Sequence, residues 1–216
     1  MGIRHIAFDL QKQLFPVSAT AIRSDLLANW EYLPDSVKPY FCIKVAILGT
    51  ESTGKTTLAT ALAKHYGCGL VLEAARGIVE NSNAFSLSDL QSVVTAHTSN
   101  IHAASCGVSP LIVIDTNLYT TLSYSLFSLE QELQVSASDV ATNRADLCLY
   151  LCKDAPYFQD GTRLSEQLRD RLDDSHRKVL REKGIEFVEI DGNWNQRFHR
   201  STQWIDQLLK EAHHRF

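Results

Sequence analysis

No apolar run in this chain approaches the length of a membrane-spanning helix, about 20 residues. The opening stretch MGIRHIAFDL carries no long apolar core, so it does not read as a secretory signal. It misses the myristoylation pattern too, because Ile6 stands where Ser or Thr is required. Excess positive charge is also lacking. With 21 Lys and Arg against 25 Asp and Glu, the net charge is -4. That argues against a protein that works by broadly neutralising nucleic-acid phosphates, though it leaves room for a local basic pocket. Cys42, Cys68, Cys106, Cys148 and Cys152 are odd in number and irregular in spacing, a poor basis for a disulfide framework or a zinc site. They read as buried reduced thiols of a cytoplasmic protein, with Cys148 and Cys152 on one face of a strand. Internal repeats and low-complexity tracts are missing as well.

What is present is an alternation. The 216 residues suffice for one sizeable core plus an appendage. From residue 43 onward, short apolar runs alternate with longer amphipathic ones. Strands are expected at 42–49, 69–73, 110–115, 145–152 and 185–192. Helices are expected from Lys55 to a stop at Gly67, from a cap at Ser86 with Asp89 three residues on to Gly107, over 164–184, and from about Asn195 to the end. This order predicts an α/β fold, a five-stranded parallel sheet with helices on both faces. A phosphate site then belongs at the carboxyl ends of the strands. Residues 1–40 break the rhythm, with a capped helix near Ser18 or Thr20 and then Pro34 and Pro39. They read as a short helical appendage to a domain over 41–216.

The chemistry starts in GTESTGKT, residues 49–56. Gly49, Gly54, Lys55 and Thr56 satisfy the phosphate-loop pattern G-x-x-x-x-G-K-[ST] in full. Its glycines let the backbone N–H groups of Glu51, Ser52, Thr53 and their neighbours curl around phosphate oxygens. The helix that follows, opening through Thr57, adds the positive end of its dipole. Lys55 is expected to reach the β- and γ-phosphates of ATP, and Thr56 to hold Mg²⁺. In LIVIDT, Asp115 follows four apolar residues, the form of the second NTPase signature, and is the expected carboxylate for the metal. A helix N-cap role for Asp115 is the alternative, and both roles can hold together. Glu73, ending the second strand, is either an acceptor-side base or half of an exposed ion pair with Arg76. Arg163, Arg169 and Arg171 beyond the fourth strand are either a lid over the triphosphate or a solvated helix face.

The segments KVAILGTESTGKTTLATALA, LEAARGIVE, IDTNLYTTLSYS and DLCLYLCKDAPYFQDGTR, in that order, resemble the ribosylnicotinamide kinase domain of NadR-type bifunctional proteins, over residues 43 to about 210. FPVSATAIR resembles the C-terminal signature of nicotinamide mononucleotide adenylyltransferases, with Ser18, Thr20 and Arg23 at the phosphate-binding positions. The His-x-Gly-His core of that domain is missing, so residues 1–40 are expected to be its remnant, packed on the kinase and inactive in adenylyl transfer. Association with an adenylyltransferase, or pairing of two copies through FDLQKQLF, is a weaker expectation.

The resemblance implies roles for particular residues. Lys55 and Thr56 would bind ATP and Mg²⁺. Asp115 would sit on the metal side or near the acceptor hydroxyl. Glu73 and Arg76 would line the acceptor pocket, Arg163 and Arg171 would form the lid, and Asn193 and Arg197 would lie near the adenine. Three positions depart from the family. Leu72 and Asn100 stand where aromatic rings are expected to sandwich the nicotinamide, and Asn117 replaces a second acidic residue. Losing a stacking ring forfeits about 1–3 kcal/mol by analogy with base stacking, enough to change the accepted base. Tyr66, Tyr119 or Tyr157 are the candidates to compensate. The expected activity is therefore phosphorylation of the ribose 5′-hydroxyl of nicotinamide riboside. The alternatives are a kinase for another nucleoside or small alcohol, and a nucleotide-sensing regulatory module. ATP against GTP, and Glu73 against Asp115 as proton acceptor, stay open.

Overall fold

A computed structural model of the chain describes residues 11–14, 16–78, 85–154 and 165–213. Its centre is β1, Ile43–Leu48 (IKVAIL), buried along its whole length. Alternate side chains serve opposite faces: Ile43, Val45 and Ile47 pack into one apolar cluster, Ala46 and Leu48 into another. A strand covered on both sides has to read as a continuous apolar run, which is why periodicity finds it by length and not by alternation. The partners are β2 Gly69–Val71, β3 Leu111–Asp115, β4 Leu147–Leu151 and β5 Val188–Ile190. They form one sheet in the order β2-β3-β1-β4-β5, parallel at every pairing.

The helices follow in chain order: α1 Ala19–Ser24, α2 Lys38–Phe41, α3 Lys55–Tyr66, α4 Leu87–Ser105, α5 Leu118–Leu129, α6 Ala137–Asn143, α7 Glu166–Glu182 and α8 Trp194–His213. Leu58 and Leu62 of α3 and Ile205 and Leu208 of α8 cover one face of the sheet. Leu90 and Val94 of α4, Leu118 and Leu122 of α5, and Val179 and Leu180 of α7 cover the other. Ser86 and Asp89 form the expected capping box on α4. Sequence periodicity had given no element for α6, a seven-residue helix with its own capping box from Ser136 and Asp139. It is too short to show a clear stripe.

Part of the N-terminal segment packs against the sheet. Ser18 caps α1, accepting from Ala21 N at 3.0 Å, while Thr20 and Arg23 lie exposed. Leu26, Trp30 and Leu33 are buried in a third cluster with Ile101, Ile112 and Ile114. Each buried leucine contributes about 1.5–3 kcal/mol, and the Trp30 indole N–H donates to Gly107 O at 2.9 Å. Residues 26–42 are thus part of the core that covers β3. Of FDLQKQLF, residues 8–10 and 15 lie outside the described residues.

Gly49 leaves β1 with φ +134°, and a Cβ there would meet Leu151 O at 2.7 Å. Gly67 ends α3 at φ +59° with open space around it. Gly49→Ala should therefore cost at least about 2 kcal/mol, and Gly67→Ala about 1 kcal/mol. Urea unfolding of both variants measures this. Equal losses would mean that the contact with β4 does not constrain the loop.

Candidate functional site

The register of β1 and β3 sets Ile47 opposite Asp115, so the loop after β1 and the carboxylate ending β3 meet at the carboxyl end of the sheet. The loop curls through three positive φ values, Gly49, Ser52 at +60° and Gly54 at +87°. Thr53 Oγ1 donates to Thr50 O at 2.9 Å, and Lys55 Nζ folds back to the same carbonyl, also at 2.9 Å. α3 begins at Lys55 with its amides directed at the loop. Glu51 and Ser52 are half-buried, Thr53 is buried, and Thr57 is exposed on the first turn of α3.

Thr56 Oγ1 donates to Asp115 Oδ2 at 2.5 Å. Asp115 is 1% exposed, and its Oδ1 has no hydrogen-bond partner among the described residues. The N-cap role falls to Asn117, whose Oδ1 accepts from the amides of Tyr119 and Thr120 at 3.1 and 3.3 Å. Between them Thr116 is held at φ +68°, a strained conformation for a β-branched residue of the kind that concentrates at functional sites. Thr50 Oγ1, Asn117 Nδ2 and both ring nitrogens of His97 and His176 are likewise buried without a partner among the described residues. Such groups usually find partners, so their gathering around one loop marks a place where a polar ligand completes the structure. No group of three or more His, Cys, Asp or Glu able to hold a metal occurs among the described residues. A hydroxyl beside one carboxylate with a bare buried oxygen fits a hard cation that brings its own water and phosphate ligands.

Helices α5 and α7 wall this end. Tyr124 O–H donates to Glu51 Oε1 at 2.9 Å, and the His176 ring stands edge-on to Tyr124 with centroids 5.3 Å apart. Arg169 and His176, seven residues apart, share one face of α7, and both are buried. His176 meets the Tyr124 ring, which in turn bonds Glu51 of the phosphate loop, so the His176 side of α7 lies toward that loop. Arg171, expected in the lid, is exposed instead and lies over the Phe127 ring at 5.7 Å. The helix phase puts Arg169 inward, a distinction that a charged, arginine-rich stretch does not reveal in sequence.

The remaining expected residues divide. Arg197 is buried and spends its guanidinium on Thr53 O at 2.7 Å, Gly192 O at 2.9 Å, Cys152 O at 3.0 Å and Asp154. It clamps the loop from behind and does not reach outward. Asn193 caps α8, accepting from Gln196 N at 3.0 Å. Its neighbour Trp194, 41% exposed, is the residue that sequence reading missed: a Cβ on Gly54 would stand 3.5 Å from its ring. An aromatic directly after the expected adenine-side Asn was the available signal.

Leu72 is 52% exposed beside Glu73 at the carboxyl end of β2. Asn100 is exposed on α4, one turn beyond buried His97, the α4 side chain that neighbours Asp115. Tyr66 bonds Thr202 O and Asp206 on α8, and Tyr119 is buried in the α4–α5 cluster, so neither supplies a ring at the acceptor side. Tyr157, Arg163 and the side chain of Arg76 lie outside the described residues. A separate cleft of about 860 Å³, lined by Asp146, Arg181, Phe187 and Trp204 among others, opens at the amino ends of β4 and β5, away from this chemistry.

A glycine loop between β1 and α3, paired with an aspartate ending the neighbouring parallel strand, defines a P-loop nucleotide-binding protein. The chain belongs to the AAA domain family, whose model matches residues 44–197. It is 29% identical to the trifunctional NAD biosynthesis/regulator protein NadR of Escherichia coli strain K12 over 219 residues, covering 98% of this chain and 53% of the relative. The chain spans about half the length of the curated relatives it matches. Its fold is similar to that of a NadR protein in complex with NR, with a TM-score of 0.74, 21% identity, and coverage of 91% of this chain and 59% of that one. A deoxyadenosine kinase from M. mycoides with bound dCTP follows, with a TM-score of 0.56, 14% identity, and coverage of 76% and 100%. Among the described residues, no helix is long and apolar enough to cross a membrane.

Burial pulls the His176 imidazole down to about 3, helped by the Lys55 charge. Burial also lowers His97, partly offset by the Asp115 carboxylate and by the Thr116 backbone, which lies near the ring without reaching hydrogen-bond geometry. Below the ordinary histidine value of about 6.5, the unfolded chain takes up protons that the folded chain refuses. Stability is therefore full above that value and falls as pH drops, by up to about 1.4 kcal/mol per histidine per pH unit. Urea midpoints at pH 5 and pH 7 should differ accordingly, and His176→Asn should remove about half the slope. A flat profile would show that these rings are protonated in the fold.

Proposed function

We propose that the chain is an ATP-dependent kinase that transfers the γ-phosphoryl group to the ribose 5′-hydroxyl of nicotinamide riboside, giving nicotinamide mononucleotide. The observation that carries the reading is the Thr56–Asp115 hydrogen bond at 2.5 Å, with the second Asp115 oxygen buried and bare. Similarity to NadR proteins, one of them in complex with NR, supports the acceptor. On this reading residues 41–216 form the kinase domain, and the segment before them corresponds to the C-terminal end of an adenylyltransferase domain.

The residues divide the work. The amides of residues 49–56 and the Lys55 ammonium hold the triphosphate, and Trp194 offers its ring to the base. Thr56 and Asp115 would hold Mg²⁺, which supplies charge neutralisation on the β- and γ-phosphates when bound. Arg169, turned inward on α7, takes the phosphate-side role first assigned to Arg171. Glu73 would accept the proton of the attacking hydroxyl, with Leu72 beside it on the base side. Catalysis is then positioning and charge neutralisation in a site closed to water. Exposed Leu72 and Asn100, where stacking rings were expected, favour a second reading in which the acceptor is a different nucleoside.

Purified protein with ATP and Mg²⁺ should release ADP only when nicotinamide riboside is added. Lys55→Ala should lower kcat/KM by about a hundredfold or more. Riboside-independent ADP release would sink the kinase reading, and faster turnover of an ordinary nucleoside would move the acceptor to the second one. Glu73→Gln should lower kcat by about a hundredfold with little change in the ATP KM; full turnover would remove Glu73 as the base.

A further inference from the structure

Glu51 is an anomaly in its setting. It lies between Gly49 and Gly54, inside a loop whose amides and helix dipole are arranged to attract anions. A carboxylate there repels the triphosphate that the loop is built to hold unless something fixes it elsewhere. Tyr124, 73 residues away on α5, donates its hydroxyl to Glu51 Oε1 at 2.9 Å.

The donor is itself fixed. His176 of α7 stands edge-on to the Tyr124 ring at 5.3 Å, and Phe85, just before α4, does so at 6.4 Å. Ser123 and Ser175, the preceding residues on α5 and α7, share a hydrogen bond of 2.8 Å that locks the two helices together. Burial raises the phenol well above its ordinary value, and the Glu51 and Glu73 carboxylates push the same way, so the O–H keeps its proton and remains a donor. The ring thus touches the phosphate loop through Glu51, the α7 wall through His176 and the start of α4 through Phe85.

We propose that Tyr124 is a positioning residue that holds the phosphate loop's own carboxylate, Glu51, clear of the anion cradle. The proposal rests on the reading of the chain as an ATP-binding kinase and concerns the nucleotide side alone. Its signature is an asymmetry between two changes. Removing the hydroxyl takes away a bond that holds the Glu51 charge back from the phosphates. Removing the charge makes the hydroxyl unnecessary.

The test is the dissociation constant of the Mg²⁺ complex of AMP-PNP, measured by calorimetry for the wild type, Tyr124→Phe, Glu51→Gln and the double variant, each checked for an unchanged thermal midpoint. Tyr124→Phe, which keeps the ring, should weaken binding by about tenfold. Glu51→Gln should bind no more weakly than the wild type, and the double variant should return to within about twofold of Glu51→Gln. In turnover, Tyr124→Phe should raise the ATP KM and leave the riboside KM in place, a split that loss of packing would not give. Wild-type affinity in Tyr124→Phe overturns the proposal, and so does a double variant as weak as Tyr124→Phe. The binding assay needs no acceptor. The expected affinity pattern without transfer to nicotinamide riboside would therefore refute the proposed acceptor while upholding the role of Tyr124.

Discussion

The pairing of β1 with β3 is the constraint on which the site depends. Their parallel register sets Ile47 against Asp115, and Thr116 N extends the ladder by donating to Ile47 O at 3.0 Å. A slip of one residue would turn Asp115 to the other face of the sheet and break its contact with Thr56. The apolar side chains on both faces of β1 and β3 enforce the register, since any other pairing would expose them. The same burial that stabilises the sheet thus fixes a hydroxyl and a carboxylate from distant parts of the chain within hydrogen-bond distance.

Around that pair the structure concentrates polar groups that an ordinary core would not tolerate. Bare oxygens on Thr50 and Asp115, the Asn117 amide and the rings of His97 and His176 lie buried near the carboxyl end of the central strands. Each costs about 1–3 kcal/mol when left without a hydrogen bond. The fold carries that cost where two rigid helices, α5 and α7, and a clamped loop keep the groups from collapsing onto one another. Arg197 contributes from behind. By binding Thr53 O and Cys152 O it ties the loop to the end of β4, so the cradle is shaped before a ligand arrives.

Much of the architecture was legible in the chain. The five strands fall within the expected runs, and the caps at Ser86 and Gly67 stop or start helices where the sequence places them. The loop residues 49–56 and Asp115 come together as their spacing implies. The difficulties lay with side chains whose direction depends on helix phase against a neighbour. Arg169 and Arg171 are indistinguishable in a charged stretch, yet one is buried and the other rests on Phe127. Arg197 was expected near the adenine from the family resemblance alone, while in the fold its guanidinium binds the Thr53 carbonyl from beneath the loop. His97, His176 and Tyr124 carried no local signal at all, since a ring on an apolar helix face reads as core.

The sequence by itself determined the five strands, the phosphate loop and its aspartate, because those follow from local rules of periodicity, capping and backbone geometry. Tertiary structure alone decided that Leu26, Trp30 and Leu33 are buried against β3, that Arg169 is buried while Arg171 is exposed, that Trp194 stands beside Gly54 of the loop, and that Tyr124 meets Glu51. The physical reason is range. Capping and strand formation are settled within a few residues, whereas the contact from Tyr124 to Glu51 spans 73 positions and exists only once α5 has packed between α4 and α7.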